Sequence, residues 1–225
     1  MVQKLIDTEA LIAMFQSASA RQGAQLQKAT HDATLAALQG RELTLKNIRG
    51  ALKQVAGAAS EGVAKNLVAG VDPEALLDKA VTGIDQALLK AVHANQTALN
   101  MLMAQGADLR DKHLKKAVDD LDKMEDNLFA AMKKTAGAAG APLAAAWGPV
   151  LERLQAGGSL SGTQAASAAE DMAQQMQTAL RSSRAASIKA AQALAESYTA
   201  MVSGVLIGMS QALETSAPAK KAPRK

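Results

Sequence analysis

The sequence predicts an all-α protein, an elongated antiparallel helical bundle of coiled-coil-like character with a disordered basic C-terminal tail. Three observations carry this. Alanine is the commonest residue, 51 of 225, and its neighbours are mostly Leu, Gln, Lys, Met and Glu, all good helix formers. Aromatic residues make up 2% of the chain, and the β-branched and aromatic runs that favour strands are missing. Apolar positions recur every three or four residues over long stretches, as a helix with one buried stripe requires. Alanine buries little area, so such a core is thin and depends on close approach of helices.

The first segment, residues 2–69, places Leu5, Ile12, Phe15, Leu35, Leu38, Leu45, Ile48, Leu52 and Val55 at helical spacing. Gly40, Gly50, Gly57 and Gly62 weaken it, and a break is expected between 56 and 70. The clearest helix start lies in AGVDPEALL. Asp72 is suited to the N-cap, Pro73 to the first helical position, and Glu74 to the positive end of the helix dipole. From Pro73 to Thr135 a stripe runs through Leu77, Val81, Ile84, Leu88, Val92, Leu99 and Leu102. It loosens near Gly106 and resumes at Leu114, Val118, Leu121, Leu128 and Met132. The spacing predicts a helix of about 60 residues, about 90 Å long, lying antiparallel to the first segment. Residues 1–136 are thus expected to form a long helical hairpin.

Residues 137–162 read as a Gly-, Pro- and Ala-rich linker containing one short helix, punctuated by Pro142, Pro149 and Gly157–Gly158. Trp147, the only tryptophan, either anchors at a water–apolar interface or plugs a gap between helices, with the plug favoured. An amphiphilic C-terminal helix over 163–216 opens at Thr163 and is ended by Ser216 and Pro218. The tail, 217–225, is disordered by composition.

Several function classes are excluded. There is no cysteine, which removes disulfides, thiol catalysis, zinc fingers and iron–sulfur clusters. His31, His93 and His113 have no second ligand at metal-binding spacing and read as solvated. Asp119, Asp120, Asp122, Glu125 and Asp126 interleave with Lys115, Lys116 and Lys123, so they read as a solvated charged face, with Asp119 and Lys123 at i,i+4. GAAGAP lacks a phosphate-binding lysine, and no serine sits in a nucleophile motif. The chain is read as no enzyme, with no catalytic residues, metal ligands or cofactor.

The net charge is +4. Through residue 216, 21 basic residues balance 21 acidic ones. The excess lies wholly in the tail, at Lys220, Lys221, Arg224 and Lys225. Nucleic-acid binding is therefore expected only weakly, through the tail. The N-terminal MVQKLIDTEALIAMF carries Asp7 and Glu9 and reads as no export signal, and with the absence of cysteine a cytoplasmic location is expected.

The run from Ser197 to Leu213 holds 17 residues without a charge, bracketed by Glu196 and Glu214. It is shorter than the roughly 20 apolar residues of a membrane span, and Ser197, Thr199, Ser203, Ser210 and Gln211 dilute it. No transmembrane span is expected. On a helix, Tyr198, Met201, Val202, Val205, Leu206, Met209 and Leu213 form a broad apolar arc. Beside it, Ala200, Gly204, Gly208 and Ala212 recur every four residues, a ridge that lets another backbone approach closely. The ridge fits a helix-packing seam within the bundle or between subunits of a homo-oligomer. The arc, with its adaptable methionines, fits reversible binding to a hydrophobic surface. Both hold if the seam opens on adsorption.

The stretch AAQALAESYTAMVSGVLIGMSQAL, followed by SAPAKKAPRK, resembles the C-terminal helix and Ala/Lys/Pro tail of phasin-like proteins. The middle stretches LLDKAVTGIDQALLKAVHANQTALNMLMAQG and KKAVDDLDKMEDNLFAAM resemble uncharacterised bacterial all-helical proteins loosely related to that group. The resemblance implies a non-enzymatic, amphiphilic, cytoplasmic coat on polyhydroxyalkanoate storage granules, with the granule surface as partner. The middle segment is more charged than that of a typical phasin. The alternative is a structural scaffold whose C-terminal helix mediates oligomerisation or binds a partner helix.

Overall fold

A computed structural model describes residues 7–21, 23–39, 43–67, 71–105 and 112–182, together with Tyr198, Met201, Val202, Val205 and Leu206. Among these residues the protein is all-α, with eight helices and no strand. They are α1 (Thr8–Arg21), α2 (Gly23–Leu38), α3 (Leu45–Ala64), α4 (Pro73–Ala104), α5 (Lys112–Asp122), α6 (Met124–Ala138), α7 (Ala141–Gly157) and α8 (Leu160–Ser182).

The central element is α4, which packs against α2, α3, α7 and α8. It starts where the sequence places it. Asp72 Oδ1 accepts a hydrogen bond from Glu74 N at 3.0 Å, and Pro73 opens the first turn. Leu77, Ile84, Leu88, Leu99 and Leu102 are fully buried along its stripe, each contributing about 1.5–3 kcal/mol of apolar burial. At Gly83 the backbone of α2 comes so near that a Cβ would lie 2.1 Å from the Gln27 carbonyl oxygen. Only glycine permits this approach.

The long hairpin expected over 1–136 is replaced by six shorter helices. The first segment divides between α2, which ends at Leu38, and α3, which Thr44 caps, while Gly50, Gly57 and Gly62 lie inside α3. The register between α2 and α4 is parallel: Gly23 faces Lys79, and further along both helices Gln27 Nε2 donates to Gln86 Oε1 at 3.1 Å. The same sense holds for α1 and α3, where Phe15 meets Gly62 and Asn66 Nδ2 donates to the Gln16 carbonyl and Ser19 Oγ. These pairs are not the two arms of an antiparallel hairpin.

The expected 60-residue helix ends at Ala104 and resumes as α5 and α6, with a turn at Lys123. Tertiary capping accounts for that turn. Asp120, only 5% exposed, accepts from Leu45 N at 3.3 Å and Lys116 Nζ at 2.7 Å. Asn127 donates from Nδ2 to the Leu45 carbonyl at 3.2 Å and accepts from Arg49 Nε at 3.0 Å. On a straight helix residues 120 and 127 would stand about 10 Å apart. The turn brings both onto the first residues of α3. Asp120 is therefore a buried cap, not part of a solvated face. His31 is likewise largely covered, its side chain 12% exposed.

The region expected to be a linker contains a packed helix. In α7, Pro142 falls in the first turn, where its missing N–H costs nothing, and Pro149 sits inside the helix. An internal proline costs about 3 kcal/mol. Burial of Leu143, Trp147 and Val150 against the core offsets it. Trp147 is the plug between helices: it is 2% exposed, and its Nε1 donates to Ser60 Oγ at 3.3 Å.

Candidate functional site

Two regions are built for contact, the C-terminal arc and a groove between α3 and α6. Of the arc, Tyr198, Val202 and Leu206 are buried, at 7%, 0% and 1% exposure. They are four residues apart and face the core, while Met201 and Val205 are partly buried beside them. The Tyr198 hydroxyl donates to Asn95 Oδ1 on α4. Asn95 is 0% exposed, and its Nδ2 has no partner among the described residues. Met209, Leu213, the small-residue ridge at Ala200, Gly204, Gly208 and Ala212, and the tail residues Lys220, Lys221, Arg224 and Lys225 lie outside the described residues.

Further toward the start of α4, a second polar join is fully satisfied. Asp85 accepts from Leu160 N at 2.8 Å, Ser161 N at 3.0 Å and Ser161 Oγ at 2.5 Å. Glu125 Oε1 accepts from Ser159 N at 2.8 Å, and Ser159 Oγ accepts from Gly162 N at 2.9 Å. The orphan donors Leu160 N, Ser161 N and Gly162 N of the first turn of α8 thus find acceptors in Asp85 of α4 and Ser159, while Glu125 of α6 holds Ser159 in place. Gly158, at φ 68°, makes the left-handed turn that leads in. These caps start α8 at Leu160 rather than at Thr163. Glu125, like Asp120, serves as a cap rather than as a solvated charge.

The groove between α3 and α6 has a volume of about 780 Å³. Its floor is made of small and apolar residues, including Gly57, Ala58, Ala131 and Leu143. Arg49, Lys53 and Lys134 stand on its rim with Glu61. Cβ atoms added at Gly50 or Gly57 would meet nothing within 4 Å. Ser60 also lines the groove and accepts from Trp147 beneath it. The sequence reading did not assign this site. Its signal was present in two glycines seven residues apart on a helix, with Lys53 between them.

Among the described residues, no cluster of three or more His, Asp or Glu is placed to hold a metal ion, and no helix is long and apolar enough to cross a membrane. The exposed large apolar residues, Met14, Leu67, Met101 and Leu160, are spread over separate elements.

The chain belongs to a family of unknown function, DUF6781, whose model matches residues 1–215. No curated protein and no solved structure matches it.

Proposed function

We propose that this DUF6781 member is a non-catalytic, cytoplasmic, phasin-like coat protein of hydrophobic storage granules, which adsorbs by opening its bundle. The observation that carries the reading is the placement of Tyr198, Val202 and Leu206 in the core. A surface-binding arc held inside must be released before it can act. The join it makes with α4 is suited to release. A buried amide donor without a partner costs about 1–3 kcal/mol, so this part of the core opens more readily than a saturated one. Once open, amphiphilic helices lay their apolar faces on the hydrophobic phase and keep Lys, Asp and Glu in water. Each leucine or valine transferred contributes about 1.5–3 kcal/mol, so a few suffice for stable, reversible adsorption. The basic tail adds weak, salt-sensitive attraction to anionic surfaces. Self-association of the ridge at Gly204 and Gly208 would make the coat oligomeric.

A fluorescent fusion in a polymer-accumulating bacterium is expected to ring the granules. Purified protein is expected to bind amorphous polyhydroxybutyrate particles, with faster amide exchange around 198–206 in the bound state than in the free one. A fusion that stays in the bulk cytoplasm, together with no particle binding, removes the coat reading and leaves the scaffold reading in its place.

A further inference from the structure

We propose that the groove between α3 and α6 is a docking site for an acidic amphipathic helix of a partner protein. The proposal rests on different residues from the granule reading and stands or falls without it. The groove follows α3 from Arg49 to Ala64, about 22 Å at the helical rise, which is the length of an ordinary helix of about 15 residues. Glycine and alanine make up half of its lining, and it is half open to solvent along its length. It is well shaped to receive the ridge of another helix, as small residues at helix–helix contacts allow.

Gly50 and Gly57 are the second observation. Glycine inside a helix is less favourable than alanine by about 0.5–1 kcal/mol. At Gly83 an internal glycine is needed for close packing, whereas Gly50, Gly57, Gly137 and Gly148 have open space beside them, and of these only Gly50 and Gly57 line the groove. At Gly50 and Gly57 nothing among the described residues requires it. Both open onto the groove, where a missing side chain makes room for something from outside.

The rim charge then selects the occupant. Arg49 and Lys53 stand toward the start of α3 and Lys134 on α6, against the single acid Glu61 further along. Lys53 and Lys134 make no ion pair among the described residues. A second copy docked face to face would bring these cations against themselves, and like charges across an interface are unfavourable. An incoming helix with Glu or Asp flanking an Ala/Leu stripe matches them. Its more acidic end lies by Arg49 and Lys53, away from Glu61.

Trp147 provides the reporter, since it is the only tryptophan and is hydrogen-bonded to Ser60 in the groove lining. The probes are two tryptophan-free synthetic helices of about 15 residues with the same Leu/Ala stripe, one flanked by Glu and the other by Lys. The Glu peptide is expected to bind the full chain, to shift Trp147 emission, and to weaken as salt rises. The Lys peptide is expected to bind at least about tenfold more weakly. Gly57→Leu is expected to fill the groove, lower Glu-peptide affinity at least about tenfold, and leave the circular-dichroism melt cooperative. Should that variant fail to fold, the exposed pair Lys53→Glu and Lys134→Glu provides the independent arm, with the preference reversed toward the Lys peptide. Equal binding of both peptides overturns the proposal, as does no binding of either. Full affinity in Gly57→Leu also overturns it. A dimer that Gly57→Leu dissolves, seen by sedimentation without peptide binding, overturns it in favour of a second copy.

Discussion

At Gly83 and Asp85, α4 is held without slack: α2 leaves no room for a Cβ, and a buried carboxylate accepts three hydrogen bonds from the start of α8. Ten residues on, at Asn95, the same helix meets Tyr198 through one amide oxygen, and the amide nitrogen is left without a partner among the described residues. Both positions are buried and polar, on one helix. The difference is in saturation. A polar group whose hydrogen-bonding capacity is filled fixes its neighbours in place, whereas a half-filled one gives back part of what burial gained. Stability is therefore graded along α4, firm toward its start and weaker toward its end, and the C-terminal arc is attached at the weaker end.

The firm half should respond most strongly to change. Gly83→Ala puts a methyl group 2.1 Å from the Gln27 carbonyl oxygen, so α2 and α4 must separate. Overpacking of this kind costs about 3 kcal/mol, a fall of about 6–12 °C in melting temperature for a chain of this size. Asp85→Ala strands the buried donors of Ser161 and is expected to cost a similar amount. Thermal melts followed by circular dichroism provide the measurement. A Gly83→Ala protein melting within about 1 °C of the wild type would mean that the two helices do not lie as close as described.

The weaker half should tolerate replacement of its polar pair. Asn95→Leu combined with Tyr198→Phe removes the hydroxyl, the orphan donor and the acceptor together while keeping the branching of the side chain at 95. Such a paired replacement is expected to change stability by less than about 1 kcal/mol. It should also slow amide exchange around 198–206 and, if opening precedes adsorption, slow binding to polymer particles. A loss as large as that of Asp85→Ala would erase the contrast between the halves.

Sequence reading reached the parts of this picture that depend on local pattern. The cap at Asp72–Pro73, the buried stripe of α4 and the inward plug of Trp147 follow from residues within a few positions of one another. What escaped it depends on distant partners. Asp85 meets Ser161 across 76 residues, and Glu125 meets Ser159 across 34. No nearby residue announces either contact. The turn at Lys123 has neither glycine nor proline to mark it, because Leu45 on α3 determines it from outside. The opposite error occurred in α7. Pro149 punctuates the sequence as a linker would, yet the helix continues because burial of Trp147 outweighs the local penalty. The groove was missed for a related reason. Its glycines looked like helix weakeners, and only the folded bundle separates Gly57, which faces open space, from Gly83, which does not.

The smallest expected effect lies at the surface of the firm half, and it tests whether charge contributes to that firmness. Asp32 on α2 accepts from Lys28 Nζ at 2.6 Å and lies 2.8 Å from His31 Nδ1, with Lys90 of α4 close enough to feel its charge. Partial burial pushes the Asp32 carboxyl up, but the hydrogen bonds from Lys28 and His31, aided by their charges, bring it below its ordinary value of 3.8. A carboxyl depressed by folding contributes stability that is present above its unfolded pKa and is lost as the pH falls through the folded one. The side chain is 52% exposed, so solvent screens the pair, and Asp32→Asn is expected to cost only about 0.3–0.5 kcal/mol at neutral pH. That difference should shrink in high salt and vanish once the pH falls below the lowered folded pKa, where both proteins carry a neutral group. Urea melts of the two proteins at neutral and acid pH, with and without salt, measure it. A loss near that of Gly83→Ala that shrinks in high salt would assign the firmness of α4 to its surface charges. A loss of a few tenths assigns it to the close approach at Gly83 and the saturated carboxylate of Asp85.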